Sequence, residues 1–402
     1  MKKKILIVSH ALELGGAERS LIGLLETIDY RKVHVDLFLL RHEGELLSSI
    51  PSHVNLLPEV PAYTVLARPL KKVIREGHFI LALARLFGKI KAINTDKKIS
   101  RTDDLRDSMI ALEYSHKYTY RLMPKIQPEI CYDLAISFLT PHYIVANNVC
   151  AKRKAAWIHT DYSKVRIDVQ SEKSMWNFYD NIISISEDVS EAFISVFPSL
   201  KEKIILIENI LPYGLVKKQA EEFEVTDEMP KDAIRLLSIG RFCNQKNFDS
   251  IPAICYKLIQ NGLNIKWYII GFGPDESLIK RQIDKSKMQG RVILLGKKEN
   301  PYPYIKNCDL YVQPSRYEGK SVTVREAQML GKAVVITDYK TSKSQLEDGV
   351  DGMIVPLDIN ACSDAITELL CNKEKLERIR DNCKRRDYSN AGEVKKLYQL
   401  IT

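Results

Sequence analysis

The chain has 402 residues, 45% of them hydrophobic and 28% charged, with a formal net charge of +9. That length is too great for one ordinary core and implies two domains, in a chain with the composition of a soluble globular protein. The basic balance calls for an anionic partner, with phosphate, acidic membrane and nucleic acid all open.

Taken in chain order, Lys4–Val8 ("KILIV") reads as a short apolar strand. The Gly15–Gly16 pair follows, then apolar residues at helical spacing: Leu21, Leu24, Leu25 and Ile28. "VHVDLFLL" is a second strand, and strand–Gly loop–helix–strand is how a doubly wound α/β domain begins. "DLAISFL", "AAWIH" and "NIISIS" add parallel strands. Between them, from about residue 68 to 125, the chain is basic and helical without clear strand runs, and reads as an insertion. "LPYGLVKKQAEEFEVTDEMPKDA" reads as a weakly structured linker. The alternation then restarts with "IRLLSIG", "IKWYIIG", "RVILLG", "DLYVQPS" and "KAVVITD", five strands of a second parallel domain. The expected division is 1–211, a linker at 212–232, 233–388, and a C-terminal helix at 389–402 packing back on the first domain. Two such domains with a cleft between them make a natural ligand site at the carboxyl ends of the strands.

Eight cysteines without a C-x-x-C pair argue against zinc and disulfide frameworks and fit reduced thiols in a cytosol. The opening "MKKKILIVSH" has an apolar run too short for a signal peptide. No run approaches the roughly 20 apolar residues that span a bilayer. There is no H-E-x-x-H or Asp-x-Asp, all eight histidines precede residue 160, and no G-x-S-x-G elbow appears. Gly15 and Gly16 lead into a helix and could let a phosphate approach the backbone, but a tight turn explains them as well. Arg241 and Lys246 follow the strand ending at Gly240, ahead of a helix expected to begin near Asn247. Cations beside a helix N-terminus suit a diphosphate; solvated surface charges are the plain alternative. His159 ends a strand-like run, and a lone histidine there is ordinarily structural.

These pieces fall into a pattern. Glu318 and Glu326 form E-x7-E inside "PSRYEGKSVTVREAQMLGKAVVITD", preceded by G-R-x4-K-N (Gly240, Arg241, Lys246, Asn247), "GFGP" and "GGAE". The chain resembles the family 4 glycosyltransferases, retaining enzymes of the GT-B fold. That resemblance implies an α/β architecture of two Rossmann-like doubly wound domains facing across a cleft. It implies that Glu326 accepts hydrogen bonds from the donor's ribose, and that Glu318 lies near the donor sugar. Gly319, Lys320, Ser321 and Val322 would present backbone N–H groups to sugar and phosphate, while Arg241 and Lys246 would neutralise the leaving diphosphate without a metal. Gly16 would approach the donor phosphate or the acceptor, and His159 would contact the sugar. Lys320 and Phe272 depart from the family pattern, which leaves the donor sugar open.

The implied activity is metal-independent transfer of a hexose-type sugar from a nucleoside diphosphate, UDP favoured, to a hydroxyl of a lipid-linked glycan. The setting would be capsule, exopolysaccharide or another envelope polymer. The protein would be cytoplasmic or peripheral on the inner membrane face, without cofactor or nucleic acid. A nucleotide-sugar epimerase and a catalytically silent sugar-nucleotide-binding subunit are the alternatives. Residues 68–101 carry ten cations (Arg68, Lys71, Lys72, Arg75, Arg85, Lys89, Lys91, Lys97, Lys98, Arg101) against Glu76 and Asp96. Phe79, Leu83, Leu86, Phe87, Ile90 and Ile93 recur there at helical spacing, as a helix lying on an anionic membrane requires. A helix packed on its own domain by that stripe gives the same pattern.

Overall fold

The computed structural model describes residues 2–13, 15–99 and 106–401. Arg101 lies outside them. The chain forms two α/β units, one comprising Met1–Ile210 with Asn390–Thr402, the other Leu211–Ser389.

Unit 1 is built on a seven-stranded parallel sheet: β1 (Lys3–Ser9), β2 (Val33–Leu39), β3 (Asn55–Leu56), β4 (Tyr132–Ser137), β5 (Ala151–Ile158), β6 (Asn181–Ser184) and β7 (Ile204–Leu206), in the order β3-β2-β1-β4-β5-β6-β7. The run Ile5–Ser9 is buried throughout rather than alternating, as befits a parallel strand covered on both faces. Four helices matter below: α1 (Gly16–Thr27), α2 (Phe79–Ile99), α3 (Ile110–Thr119) and α4 (Val169–Trp176). The C-terminal helix Val394–Gln399 belongs to this unit, where Tyr398 OH accepts from the Asp29 amide (2.7 Å) and Lys396 Nζ donates to the Leu206 carbonyl (3.0 Å).

Unit 2 has six parallel strands: β8 (Ile234–Ile239), β9 (Ile265–Ile270), β10 (Val292–Gly296), β11 (Leu310–Gln313), β12 (Val334–Thr337) and β13 (Met353–Val355), in the order β10-β9-β8-β11-β12-β13. Both units therefore have the Rossmann-like layout, with the strand order reversing beside β1 in one and beside β8 in the other. The sixth strand, and β3 and β7 in unit 1, are two or three residues long, too short for a hydrophobic pattern to declare them.

One expectation requires correction. The segment 212–232 is not a loose linker. It contains α5 (Tyr213–Gln219), and Val216, Ala220, Val225 and Met229 enter the core of unit 2. Its charged residues mask the apolar spacing that anchors it.

At α2 the sequence left two readings open. Phe79, Leu83, Leu86, Phe87, Ile90 and Ile93 are 45–66% exposed, Phe87 setting its ring edge-on to Tyr118 at 5.0 Å. The helix is held instead by Leu81, Ala82, Gly88 and Ala92 on its other side. A Cβ at Gly88 would lie 2.8 Å from the Tyr114 carbonyl oxygen, so glycine is what lets α2 and α3 approach so closely.

Candidate active site

In unit 2, the loop after β8 and the loop after β11 bring the predicted residues together. Lys246 sits in the 3-10 turn Asn244–Lys246, its stem lying across Gly240, where a Cβ would come within 3.2 Å of the lysine Cε. Its ammonium pairs with Glu318 Oε1. Glu318 also accepts from Ser315 Oγ (2.7 Å) on Oε1 and Gln245 Nε2 (3.2 Å) on Oε2, so a largely buried carboxylate is fully partnered. Arg241 is exposed and makes no hydrogen bond or ion pair among the described residues. Asn247 adopts φ +57°, a left-handed conformation that asparagine tolerates, and its Nδ2 donates to the Pro314 carbonyl (2.9 Å). The helix expected near Asn247, α6 (Ile251–Gln260), starts at Ile251 after a second 3-10 turn. Arg316 locks the two loops, pairing with Asp249 (2.9 Å) while its amide donates to the Gln245 carbonyl (2.8 Å).

Glu326 lies in α7 (Val322–Met329), wholly buried, with Oε1 accepting from Tyr302 OH (2.8 Å). The expected row of open amides at the start of α7 is incomplete. The Ser321 amide donates to Gln345 Oε1 (2.6 Å), and the Gln345 Nε2 returns to the Ser321 carbonyl (3.3 Å). Gly319 is exposed and its amide donates to nothing among the described residues. The glycines of "GFGP" serve packing. Gly271 and Gly273 have φ +149° and +158°, and a Cβ on either would fall 1.9 Å from the Gly240 oxygen or 2.3 Å from the Phe242 oxygen. Phe272 between them is exposed.

In unit 1, Gly15 precedes α1 and Gly16 opens it. A Cβ at Gly15 would lie 2.0 Å from Glu18 Oε2, so the chain's own carboxylate occupies the place over this helix end where an anion was expected. Burial pushes the Glu18 carboxyl above its usual range. His159 follows β5 with its ring 4.9 Å from Phe138 and nearly parallel to Trp157. Burial lowers its imidazole to about 4, which keeps it neutral, and Nε2 has no hydrogen-bond partner among the described residues. Among the described residues no group of three His, Cys, Asp or Glu side chains could hold a metal ion.

Residues 219–386, which contain every unit 2 residue of this site, match the family described as glycosyl transferases group 1. This segment is a group 1 glycosyl transferase domain. An uncharacterised glycosyltransferase of Methanocaldococcus jannaschii is 29% identical to the chain over 189 residues, 46% of each. A Campylobacter jejuni N-acetylgalactosamine-N,N'-diacetylbacillosaminyl-diphospho-undecaprenol 4-alpha-N-acetylgalactosaminyltransferase is 26% identical over 181 residues, 44% of this chain and 47% of the other. The chain spans about half the length of the curated relatives it matches. S. aureus TarM, solved in a complex containing UDP, superposes over the whole of both chains with a TM-score of 0.66 at 15% identity, a likeness of fold. The fold class is thus GT-B.

Within the group 1 domain, sequence reading missed the residues that hold the motif in place: Ser315, Gln245, Arg316, Asp249, Tyr302 and Gln345. Each is a common polar residue whose partner is 3–73 positions away, so no local pattern marks it.

Proposed function

We propose that this protein is a retaining glycosyltransferase of polysaccharide biosynthesis, moving a hexose-type sugar from a UDP-sugar to a hydroxyl of a lipid-linked glycan. The observation that carries the reading is the Lys246–Glu318 pair beside exposed Arg241, at the carboxyl end of a parallel sheet in a group 1 domain. Two cations there would stabilise the diphosphate as negative charge develops on it. The sugar C1–O bond to the diphosphate breaks and a bond from C1 to the acceptor oxygen forms on the same face. The acceptor's proton passes to the departing diphosphate. Glu318 would hold a sugar hydroxyl or the positive charge developing at C1, Glu326 the ribose, and Gly319 with its neighbours the phosphate. Gly240, Gly16 and His159 complete the proposed set. UDP in the TarM complex supports the nucleotide, and the diphospho-undecaprenol in the Campylobacter jejuni enzyme's name supports the acceptor. A thermal-shift panel of UDP-, GDP- and ADP-sugars, then turnover with a lipid-linked acceptor, tests it. UDP-sugars should stabilise the protein and be consumed, in EDTA as in buffer. No stabilisation and no turnover with any donor would overturn the reading, and rescue by manganese would overturn its metal-free form.

We further infer an anionic membrane surface as a partner, met by α2. Arg68 is tied to Glu76 and Asp96 to Arg166, while Arg85 turns inward to backbone carbonyls. Lys71, Lys72, Arg75, Lys89, Lys91, Lys97 and Lys98 remain exposed without an acidic partner among the described residues, beside the bare apolar stripe. No helix among the described residues is long and apolar enough to cross a membrane, so contact would be in the interface plane. Flotation with phosphatidylglycerol vesicles should weaken with salt and fall sharply when Lys71, Lys72, Lys89 and Lys91 become Glu. Equal flotation of the two proteins would remove the membrane from the proposal.

A further inference from the structure

Unit 1 has two cysteines, Cys131 and Cys150, and the other six lie in unit 2. No sequence spacing links the two, but the sheet does. Cys131 immediately precedes β4 and Cys150 immediately precedes β5. These strands are parallel neighbours with Tyr132 opposite Ala151, so the cysteines stand opposite one another at the head of the ladder. The Tyr132 amide donates to the Cys150 carbonyl (3.0 Å), which fixes the register at that point. Opposed residues of a parallel pair send their side chains to the same face. Neighbouring strands lie about 4.8 Å apart, inside the Cα separation of about 4.4–6.8 Å that a disulfide spans.

Both cysteines are exposed free thiols, whereas Cys255, Cys308, Cys362 and Cys383 are buried. The Cys131 and Cys150 side chains are hydrogen-bonded to each other, and that bond is the main reason the Cys131 thiol sits above its usual range. Two positions along the same strands, the Lys152 ammonium pairs with Asp133 Oδ1 (2.8 Å), so the two strands are matched side chain to side chain at this end. The residues before Cys150 also hold the end of the inserted segment. Asn148 Nδ2 donates to the Tyr120 and Met123 carbonyls (3.0 Å each), and the Asn148 carbonyl accepts from the Ile126 amide (2.9 Å). A covalent bond between the two strand heads would close residues 131–150 into a loop that includes this anchor.

We propose that Cys131 and Cys150 form a reversible modification site, at which a low-molecular-weight disulfide such as glutathione disulfide converts the thiol pair to an intrachain bridge. One cysteine thiolate attacks a sulfur of the reagent. The reagent's S–S bond breaks, a mixed disulfide forms, and one glutathione leaves as a thiolate that takes up a proton. The second cysteine, deprotonated in turn, attacks the cysteine sulfur of the mixed disulfide, forming the Cys131–Cys150 bond and releasing the second glutathione. The two protein thiols give up two protons and two electrons, and the reagent gains both. The site belongs to unit 1 alone and does not depend on the sugar-transfer reading.

The test is to incubate the reduced full-length protein with excess glutathione disulfide, alkylate it with N-ethylmaleimide in denaturant, and map the peptides by mass. The peptides holding Cys131 and Cys150 should be joined, with neither alkyl group nor glutathione, and dithiothreitol should make both alkylatable again. Cys150→Ser should stop at a mixed disulfide on Cys131, because the resolving thiol is gone. The wild type decides the matter even if the variant fails to fold. Glutathione retained there on either cysteine, or both thiols still alkylatable, overturns the proposal. So does a bridge that joins two chains, seen as a dimer on non-reducing electrophoresis.

Discussion

Replacing Glu318 by Gln should tighten the binding of free UDP while depressing sugar transfer. Glu318 Oε1 neutralises the Lys246 ammonium, with Ser315 and Gln245 holding the carboxylate in place. A diphosphate arriving at Lys246 must share that lysine with a fixed negative charge. Glutamine keeps the size and can still accept from Ser315, yet removes the charge. Two like charges about 7 Å apart repel by about 2 kcal/mol at an effective dielectric near 20, and screening trims this toward about 1. The gain in UDP affinity should therefore be about 5- to 30-fold. Calorimetric titration of UDP at low and moderate salt measures it, and the gain should shrink as salt rises. Transfer should fall, because the group proposed to meet the sugar is lost. Weaker UDP binding by Glu318→Gln would refute the reasoning, since it would mean the carboxylate contacts the nucleotide rather than masking its cation.

Three further outcomes are expected. Gly271→Ala should destabilise unit 2 by about 2–4 kcal/mol through its clash with the Gly240 oxygen, and a melt indistinguishable from wild type would contradict the close approach. Tyr302→Phe removes a hydrogen bond from buried Glu326 and should cost about 1–2 kcal/mol of stability, while weakening UDP more than the diphosphate alone; equal loss for both ligands would detach Glu326 from the nucleoside. In unit 1, burial and the neighbouring Glu113 and Asp168 charges raise the Glu172 carboxyl to about 7. The folded chain then holds a proton there that the unfolded chain releases near 4.5, so this contribution to stability is present in acid and fades as pH rises toward 7. Glu172→Gln should melt higher than wild type at pH 8 and match it near pH 5, and the opposite order would reverse the assignment.

Much of the fold was legible because parallel strands buried on both faces write themselves as continuous apolar runs. "KILIV", "IKWYII" and "VVIT" all became strands. The two- and three-residue strands were not legible, since they carry no period, and the 212–232 segment misled because charge density stood in for looseness. At the candidate site the charged residues were visible and their supports were not. That Glu318 would rest on Lys246 follows from loop geometry 72 positions apart, which no spacing rule encodes. The helical period of α2 was correct, but period alone does not say which side a helix buries. Gly88 and the alanines decide that, by allowing a contact only small residues can make.

That seam also has a dynamic consequence. A helix that attaches through Leu81, Ala82, Gly88 and Ala92 while Phe79, Leu83, Leu86, Ile90 and Ile93 stand largely exposed buries little large apolar surface against its own unit. Its backbone hydrogen bonds are then protected mainly by their own cooperativity, which places α2 at the low end of local opening free energies. Amide protons from Leu83 to Ile93 would exchange early in the free protein, well before those of β1 or β8. Any surface that covers the stripe would slow that exchange, so the helix itself reports when and where the protein is docked.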